Sequence, residues 1–289
     1  MWFGGRGKIW GARESRSYFR GVCMAQNSRW PARFLNHEYP QIIPEPDEIR
    51  AGELPPWAAL DESARQGLGL DIVLARLHEA QRTFEEHAIP DQPRELAQVH
   101  DDVAREVNRS SAVLVALFEE DGETRVVLTR RSQSLRHHRG EIAFPGGRSD
   151  EGETPVHTAL REASEEVGID SSLVTPVGWL SPIVTFASGS AIWPVIGTLL
   201  ESPTLVVDPV EVDRAFSVSL RELLADDAFL EERWRRAQPR PGVDGEGFFP
   251  IYFYRVPGDV IWGATARILT ELLCVVTQVN WPDAERVWA

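Results

Sequence analysis

The feature of this sequence that most constrains its fold is the segment 146–169, which joins a glycine turn to a strongly acidic helix. Thr154 is a suitable N-cap, Pro155 suits the first helical position, and Gly168 suits the left-handed residue that follows a helix. These signals predict a helix over 155–167. Its apolar residues repeat at helical spacing and predict one face packed against a core. They are Val156, Ala159, Leu160, Ala163 and Val167.

Three glutamates of this helix, Glu162, Glu165 and Glu166, fall together on a neighbouring face, at roughly 100° of rotation per residue. Like charges four residues apart cost roughly 0.2–0.5 kcal/mol on an exposed helix. The pair Glu162 and Glu166 is therefore unfavourable unless something compensates, and a divalent cation would do so. The alternative is a solvated acidic face on which Arg161 and Glu165 form an ordinary ion pair.

Read with its spacing, the segment 147–169 resembles the Nudix box, the signature of the Nudix hydrolase superfamily. The resemblance covers Gly147, Glu153 and the run Arg161-Glu162-Ala163-Ser164-Glu165-Glu166. Its one departure is Ala163, where a larger aliphatic residue is usual. The resemblance implies an α+β Nudix fold, in which a mixed β-sheet lies between helices in an α/β/α arrangement. It also implies hydrolysis of a diphosphate with Mg²⁺ or Mn²⁺ as the cofactor.

Family resemblance further implies which residues bind the metal. The ligands would be Glu162, Glu166 and Glu165, together with the backbone carbonyl of Gly146. Hard cations such as Mg²⁺ prefer carboxylate and carbonyl oxygens, and this set supplies both. The metal would neutralise charge on the diphosphate, and a carboxylate or the metal would activate the attacking water.

Three more residues receive roles in the site from the same resemblance. Glu153 and Arg161 would form an ion pair that holds the loop onto the helix. Glu211 resembles a late glutamate that serves as base or outer metal ligand in some Nudix enzymes. The alternative for Glu211 is a carboxylate at a helix start, where it interacts with the helix dipole.

The segment LTRRSQSLRHHRGEIAFPGG, residues 128–147, is similar to coenzyme A pyrophosphatases of the Nudix superfamily. Coenzyme A carries a diphosphate and a 3′-phosphate, and arginines make bidentate contacts to phosphates. The alternative is a solvated basic loop that comprises Arg130, Arg131, Arg136 and Arg139. The adjacent His137 and His138 are interpreted as surface residues or phosphate contacts. The predicted substrate contacts are Arg131, Ser132, Arg136, His138, Gly140 and Phe144.

The predicted reaction is hydrolysis of the diphosphate of coenzyme A, or of an acyl derivative, to 3′,5′-ADP and the 4′-phosphopantetheine part. The residues of the Nudix box would contact only the diphosphate and the metal, so they do not select among diphosphate substrates. Three other substrate types therefore stay open: ADP-ribose, NADH and dinucleoside polyphosphates. A non-catalytic module that senses a nucleotide is an alternative from a different class. Intact glutamates throughout the box favour the enzyme.

Composition excludes several other classes of protein. The net charge of −14 argues against a nucleic-acid binder, because affinity for backbone phosphates needs a basic surface. The two cysteines, Cys23 and Cys274, imply no disulfide framework, and the apolar runs are too short to span a membrane. We therefore expect a cytoplasmic protein with a small-molecule substrate; a homodimer is an open alternative.

The chain divides into residues 1–54, a basic tail and proline-containing extension expected to be flexible, and 55–289, the expected Nudix domain. Residues 1–23 resemble either a transit peptide or a stretch upstream of a start at Met24, and we favour the second interpretation. Within the domain, a charged stretch over 231–247 is predicted to be an inserted loop.

Several secondary-structure elements of the domain are also predicted. A helix near 71–86 is expected to carry Ile72, Leu74, Leu77 and Phe84. SAVLVALF and RVVLTR, on either side of EEDGE, predict a strand, a turn and a strand. Trp262 is expected to open the last helix and to serve in packing. The core face of that helix is predicted to comprise Ile268, Leu269, Leu272, Leu273 and Val276.

Overall fold

The computed structural model describes residues 41–80, 109–185, 190–235 and 246–281. All of them belong to one compact unit, His37–Ala289. In these segments the chain forms a larger sheet of eight strands, a smaller sheet of four strands and a set of helices that cover them.

The larger sheet is mixed. Its strand β2 pairs with β8 in parallel, whereas its other strand pairs are antiparallel. The main path runs β4-β3-β2-β8-β6, with β5 also pairing β2, β7 pairing β8, and β9 pairing β3. Its strands are β2 (Arg109–Glu120), β3 (Glu123–Arg131), β4 (Ile142–Ala143), β5 (Gly146–Arg148), β6 (Thr175–Trp179), β7 (Ile183–Thr185), β8 (Ser190–Thr198) and β9 (Val212–Ser219).

The predicted strand, turn and strand are confirmed as β2 and β3. Glu120 pairs with Glu123, so only two residues form the loop. Both of them, Asp121 and Gly122, have positive φ angles, of 54° and 76°. Asp-Gly in this conformation matches the right-handed twist of the strands that it connects.

The smaller sheet has the order β1-β10-β11-β12. It corrects the prediction for 231–247, because residues 231–235 lie in a strand; residues 236–245 are outside the described part of the chain. Its first strand lies before residue 55 and pairs with β10, although the sequence assigns that stretch to an extension. The strands are β1 (Glu48–Ala51), β10 (Phe229–Arg235), β11 (Phe248–Val256) and β12 (Asp259–Trp262).

Helices cover both faces of the larger sheet, which confirms the predicted α+β fold. One face packs on α2, and the opposite face shares a core with α1, α4 and the smaller sheet. Among the described residues, no helix combines the length and apolar character needed to cross a membrane. The helices are α1 (Leu70–Glu79), α2 (Pro155–Val167), α3 (Leu220–Leu223) and α4 (Gly263–Thr277).

The sequence predictions for two of these helices, α1 and α4, can be compared with the structure. In α4 all five predicted core residues are buried, and Trp262 is the residue before its first turn. In α1 the buried residues are Val73 and Leu77, whereas Ile72 is 40% exposed. Ile72, Leu74 and Leu77 lie in this helix as the sequence predicts, while Phe84 lies outside the described residues.

The ends of α2 are fixed as the sequence predicts. The Thr154 hydroxyl accepts a hydrogen bond from the His157 amide at 3.3 Å, and Gly168 has a φ of 70°. Beyond the helix, the Val206 amide donates to the Val167 carbonyl and the Asp208 amide donates to the Glu166 carbonyl, both at 2.9 Å. These bonds satisfy carbonyls that a helix end leaves without intrahelical partners.

The left-handed Gly168 yields a test of how α2 ends. A Cβ there would lie 3.2 Å from the Cβ of Val206. Gly168→Ala should lower the free energy of unfolding by about 1–2 kcal/mol for the backbone conformation, with a further loss from this contact. Gly67 has the same φ of 70° and no atom within 4 Å of its added Cβ, so Gly67→Ala is the matched control. Equal losses in urea unfolding would contradict a role for the Val206 contact.

Candidate metal and substrate site

Glu166 is the most buried carboxylate of α2. Its side chain is 3% exposed; Oε2 accepts a hydrogen bond from the Gly146 amide at 3.0 Å, and Oε1 lies 3.5 Å from Arg131 Nη1. Burial raises the pKa of Glu166 to about 7, against the lowering effects of the Gly146 amide and Arg131. Negative charge at this position is therefore costly without a further cation.

Glu162 lies one turn earlier on the same helix and faces the glycine turn. A Cβ on Gly147 would come within 2.5 Å of the Glu162 carboxylate, so the glycine turn and this side chain approach each other closely. Burial also raises the pKa of Glu162, and the charges of Glu165 and Glu211 add to the effect. The glycine turn and the acidic face therefore lie next to each other.

Arg161 holds this region together. Its Nε donates to Glu153 Oε1 at 2.8 Å and its Nη2 donates to Glu153 Oε2 at 2.9 Å, which gives a bidentate pair. Its Nη1 donates to Glu162 at 2.9 Å and to Glu165 at 3.0 Å, and Nη2 also donates to the Arg148 carbonyl at 3.0 Å. One guanidinium thus joins the loop before α2 to two carboxylates of the helix.

The predicted pair between Glu153 and Arg161 is present. Glu153 also accepts hydrogen bonds from the Asp150 amide and the Thr158 hydroxyl, each at 2.9 Å. The Arg161 guanidinium is the main reason that the pKa of Glu153 is lowered to about 2. Glu153 is therefore ionised at neutral pH and is committed to holding Arg161, which gives it a structural role.

The acidic face has the character of a cation site. Glu162, Glu165 and Glu166 lie towards the C-terminal end of α2, where the helix dipole is also negative, and no basic residue occupies the last turn. Arg161 neutralises only part of this charge. Within the described residues, no three acidic, histidine or cysteine side chains form a ready-made metal shell. The donor set nevertheless fits Mg²⁺, which keeps several waters and takes one or two carboxylates.

Strand β9 brings Glu211 to the same site. Val212 pairs with Arg131, the Ser132 amide donates to the Glu211 carbonyl at 2.8 Å, and the Glu211 amide donates to the Asp208 carbonyl at 3.1 Å. The charge of Glu211 contributes to the raised pKa values of both buried carboxylates on α2. Glu211 precedes a strand, so its interpretation as a helix-start carboxylate is wrong.

The basic loop, residues 132–140, leaves the sheet directly after Arg131. The Gly140 amide donates to the Arg131 carbonyl and the Arg131 amide donates to the Glu141 carbonyl, both at 3.0 Å, which closes the base of the loop. Arg136 is exposed at the surface of the loop. His138 is exposed with a φ of 56°, and its hydrogen bond to Glu141 raises its pKa. Gly140 is buried with a φ of 69°, which indicates a role in the loop turn.

Two predicted substrate contacts lie inside the protein. Phe144 is 2% exposed and belongs to the core between the two sheets. The Ser132 hydroxyl is buried and lies 2.9 Å from the Ser134 hydroxyl, so it stabilises the basic loop. Motif spacing does not reveal which side chains point inward, so the burial of these two residues could not be predicted from it.

Arg130, which the alternative interpretation assigns to a solvated basic loop, instead forms a partly buried ion pair with Asp259 of β12. Its Nε donates to Asp259 Oδ1 at 2.9 Å and its Nη2 to Oδ2 at 2.5 Å. Arg214 Nη1 lies 3.5 Å from the same carboxylate. No local signal marks Asp259, because its partners lie far away in the chain.

Comparison with known proteins agrees with this geometry. The NUDIX domain profile matches residues 108–237. Nudix hydrolase 3 of Caenorhabditis elegans is 38% identical over 181 residues, which cover 59% of this chain and 75% of that protein. Uncharacterized Nudix hydrolase NudL of Photorhabdus laumondii is 37% identical over 168 residues, which cover 57% of this chain and 83% of that protein.

For two plant relatives, the match covers a smaller share of the relative's own length. Nudix hydrolase 15, mitochondrial, of Arabidopsis thaliana is 37% identical over 187 residues, which cover 62% of this chain and 63% of that protein. For Nudix hydrolase 22, chloroplastic, of the same plant, the matched residues cover 56% of that protein. The chain thus spans less than two thirds of the length of these two relatives.

The raised pKa of Glu166 predicts a pH-dependent stability in metal-free protein. Because the folded pKa of about 7 exceeds the ordinary 4.5, the folded state binds the proton more tightly and loses stability as pH rises from 4.5 to 7. Glu166→Gln should remove this loss, so it should stabilise at pH 8 by on the order of 2 kcal/mol, with little gain at pH 4.5.

Urea unfolding of both proteins with a chelator at the two pH values measures this difference. Glu165→Gln is the matched control, because Glu165 is 61% exposed on the same helix, and it should show no comparable gain at pH 8. A Glu166→Gln protein that is less stable than the parent at pH 8 would contradict the burial argument.

Proposed function

This chain belongs to the Nudix family, and from that premise we propose that it hydrolyses the diphosphate of coenzyme A or an acyl derivative. The products are 3′,5′-ADP and 4′-phosphopantetheine or its acyl form. One observation carries the proposal. Arg131 lies against the buried Glu166, and the exposed Arg136 follows five residues later in the basic loop. Positive charge for phosphates is therefore available beside carboxylates suited to a cation.

We assign the cation, Mg²⁺ or Mn²⁺, to Glu162, Glu165, Glu166 and the Gly146 carbonyl. When bound, it would neutralise diphosphate charge and lower the pKa of a coordinated water. Arg161 orients two of these carboxylates through its direct hydrogen bonds. The carboxylates are thus oriented before the substrate binds, and electrostatic catalysis depends on such preorganised groups.

Glu211 is our candidate for the base that takes a proton from the attacking water, with Glu165 as the other candidate. Glu211 is exposed, and its charge acts on both buried carboxylates of α2. A base needs access to water and hydrogen-bond reach of the reacting atoms. Glu153 is excluded from this role because Arg161 engages both of its oxygens.

The basic loop supports coenzyme A over substrates with a diphosphate alone. We assign Arg131, which lies against Glu166, to the diphosphate, and the exposed Arg136 and Arg139 to a further phosphate. Guanidinium groups suit this role because they bind phosphate oxygens through two parallel hydrogen bonds. ADP-ribose and NADH lack such a third phosphate, so they would leave these arginines unused.

Two wider expectations accompany the proposed reaction. We propose a cytoplasmic location, although two plant relatives carry the names mitochondrial and chloroplastic. We also propose that the partners are small molecules and not nucleic acids, in keeping with the net charge of −14, and a homodimer stays an alternative.

A substrate panel tests the proposed function. Coenzyme A, acetyl-coenzyme A, ADP-ribose, NADH and diadenosine polyphosphates are each incubated with the protein and Mg²⁺ or Mn²⁺, and the products are identified by mass. We expect the highest kcat/KM for a coenzyme A species and no turnover with a chelator. Faster hydrolysis of ADP-ribose than of every coenzyme A species would overturn the substrate and leave the diphosphatase activity in place.

The role of Arg136 can be tested with one substrate pair. Arg136→Ala should raise KM for coenzyme A by about tenfold, the loss expected for a charge-assisted hydrogen bond, with a much smaller effect on dephospho-coenzyme A. Steady-state kinetics with both substrates measure the difference. Arg76→Ala, on α1, is the control and should change neither KM. Equal increases for both substrates would show that Arg136 does not read the 3′-phosphate.

A further inference from the structure

We propose that Asp259 is a positioning residue for the site: through Arg130 it fixes the direction in which Arg131 faces Glu166 and the substrate phosphates. The inference rests on the proposed function and adds a residue from the smaller sheet to it. Asp259 lies beyond residues 108–237, the part of the chain that matches the family profile. Neither the Nudix box nor the basic loop includes it.

The two consecutive arginines point to opposite faces of the larger sheet. Along β3, Val126 and Leu128 pack in the core shared with the smaller sheet, whereas Val127 packs in the core beneath α2. Arg130 and Arg131 continue this alternation, as strand geometry requires. Arg130 reaches Asp259 on the first face, and Arg131 reaches Glu166 on the second. A rotation of the strand at this point would move both side chains together.

Backbone pairing holds this point of β3 regularly on the β4 edge, where Arg130 pairs with Ile142 and the Arg131 amide donates to the Glu141 carbonyl at 3.0 Å. The ladder between β3 and β9 is irregular here: Arg130 pairs with Arg214, but Arg131 pairs with Val212, so Asp213 is an extra residue. Such a bulge bends its strand and changes where side chains point. The Asp213 carboxylate accepts a hydrogen bond from the Gln133 amide at 3.2 Å, which fixes the chain after Arg131. The ion pair of Arg130 fixes it before Arg131.

Burial gives the ion pair the rigidity that this role needs. The side chain of Asp259 is 4% exposed and that of Arg130 is 14% exposed, and two parallel hydrogen bonds join them. Bidentate pairing restricts orientation as well as distance. A buried ion pair is often no more stabilising than apolar residues of similar volume, so its value lies in geometry more than in stability.

The test compares Asp259→Asn with Asp227→Asn. Asp259→Asn keeps the shape and removes the charge that orders Arg130. Asp227 forms an exposed ion pair with Arg255 of the same sheet, so its variant is the matched control. At a temperature where all variants are folded, Asp259→Asn should lower kcat/KM by roughly 10–100-fold, the cost of displaced positioning groups. Asp227→Asn should leave kcat/KM unchanged.

A double-mutant cycle with Arg131→Ala separates positioning from general damage. If Asp259 acts through Arg131, Asp259→Asn should cost almost nothing further once Arg131 is alanine. Additive losses, or a Asp259→Asn protein with a lower melting temperature and normal kcat/KM, would overturn the inference. Should Asp259→Asn fail to fold, Arg130→Lys replaces it in the cycle, since lysine keeps the charge and loses the bidentate geometry.

A binding measurement keeps this test independent of turnover. Calorimetric titration with inorganic pyrophosphate should show weaker binding to Asp259→Asn than to the parent and to Asp227→Asn, with no further weakening in the Arg131→Ala background. Unchanged pyrophosphate affinity in Asp259→Asn would overturn the inference. A parent protein that binds pyrophosphate but hydrolyses no member of the substrate panel would overturn the proposed function alone.

Discussion

The guanidinium of Arg161 is the interaction on which the candidate site depends. Glu153 of the loop before α2 and Glu162 and Glu165 of the helix carry like charges, and Arg161 offsets their repulsion. Arg161 bonds to all three and to the Arg148 carbonyl. The Arg161 guanidinium forms its ion pairs with these three carboxylates and not with the more deeply buried Glu166. The Arg161 guanidinium thus holds the site together, and the remaining negative charge favours the binding of a metal cation.

The same division of charge explains the two opposite pKa shifts. Glu153 is held by Arg161 and has its pKa lowered to about 2, whereas burial raises the pKa of Glu166 to about 7. The first carboxylate is a fixed structural anion. The second, when ionised, carries a charge that the protein only partly compensates, through the Gly146 amide and the more distant Arg131. Carboxylates in such contrasting environments commonly mark functional sites.

The sequence predicts α2 and its acidic face well because their determinants are local. Thr154, Pro155 and Gly168 fix the helix ends, and helical periodicity then decides which residues share a face. Long-range pairing cannot be found in this way. Residues 231–235 read as a charged loop, yet they form a strand in which Arg233 Nε pairs with the buried Glu231 at 2.5 Å. The ion pair between Arg130 and Asp259 cannot be predicted from the sequence for the same reason.

The backbone bonds around Glu211 have a consequence for sequence variation. Glu166 and Glu211 are joined through Asp208 by main-chain hydrogen bonds, and Glu211 is joined to Ser132 in the same way. Val206 and Val210, in this connection, are 66% and 65% exposed. The Asp208 carboxylate also accepts a hydrogen bond from the Val210 amide at 2.9 Å, so Asp208 itself is constrained. The main-chain bonds do not depend on the side chains of Val206 and Val210, so these two positions can vary while the two glutamates keep their spacing.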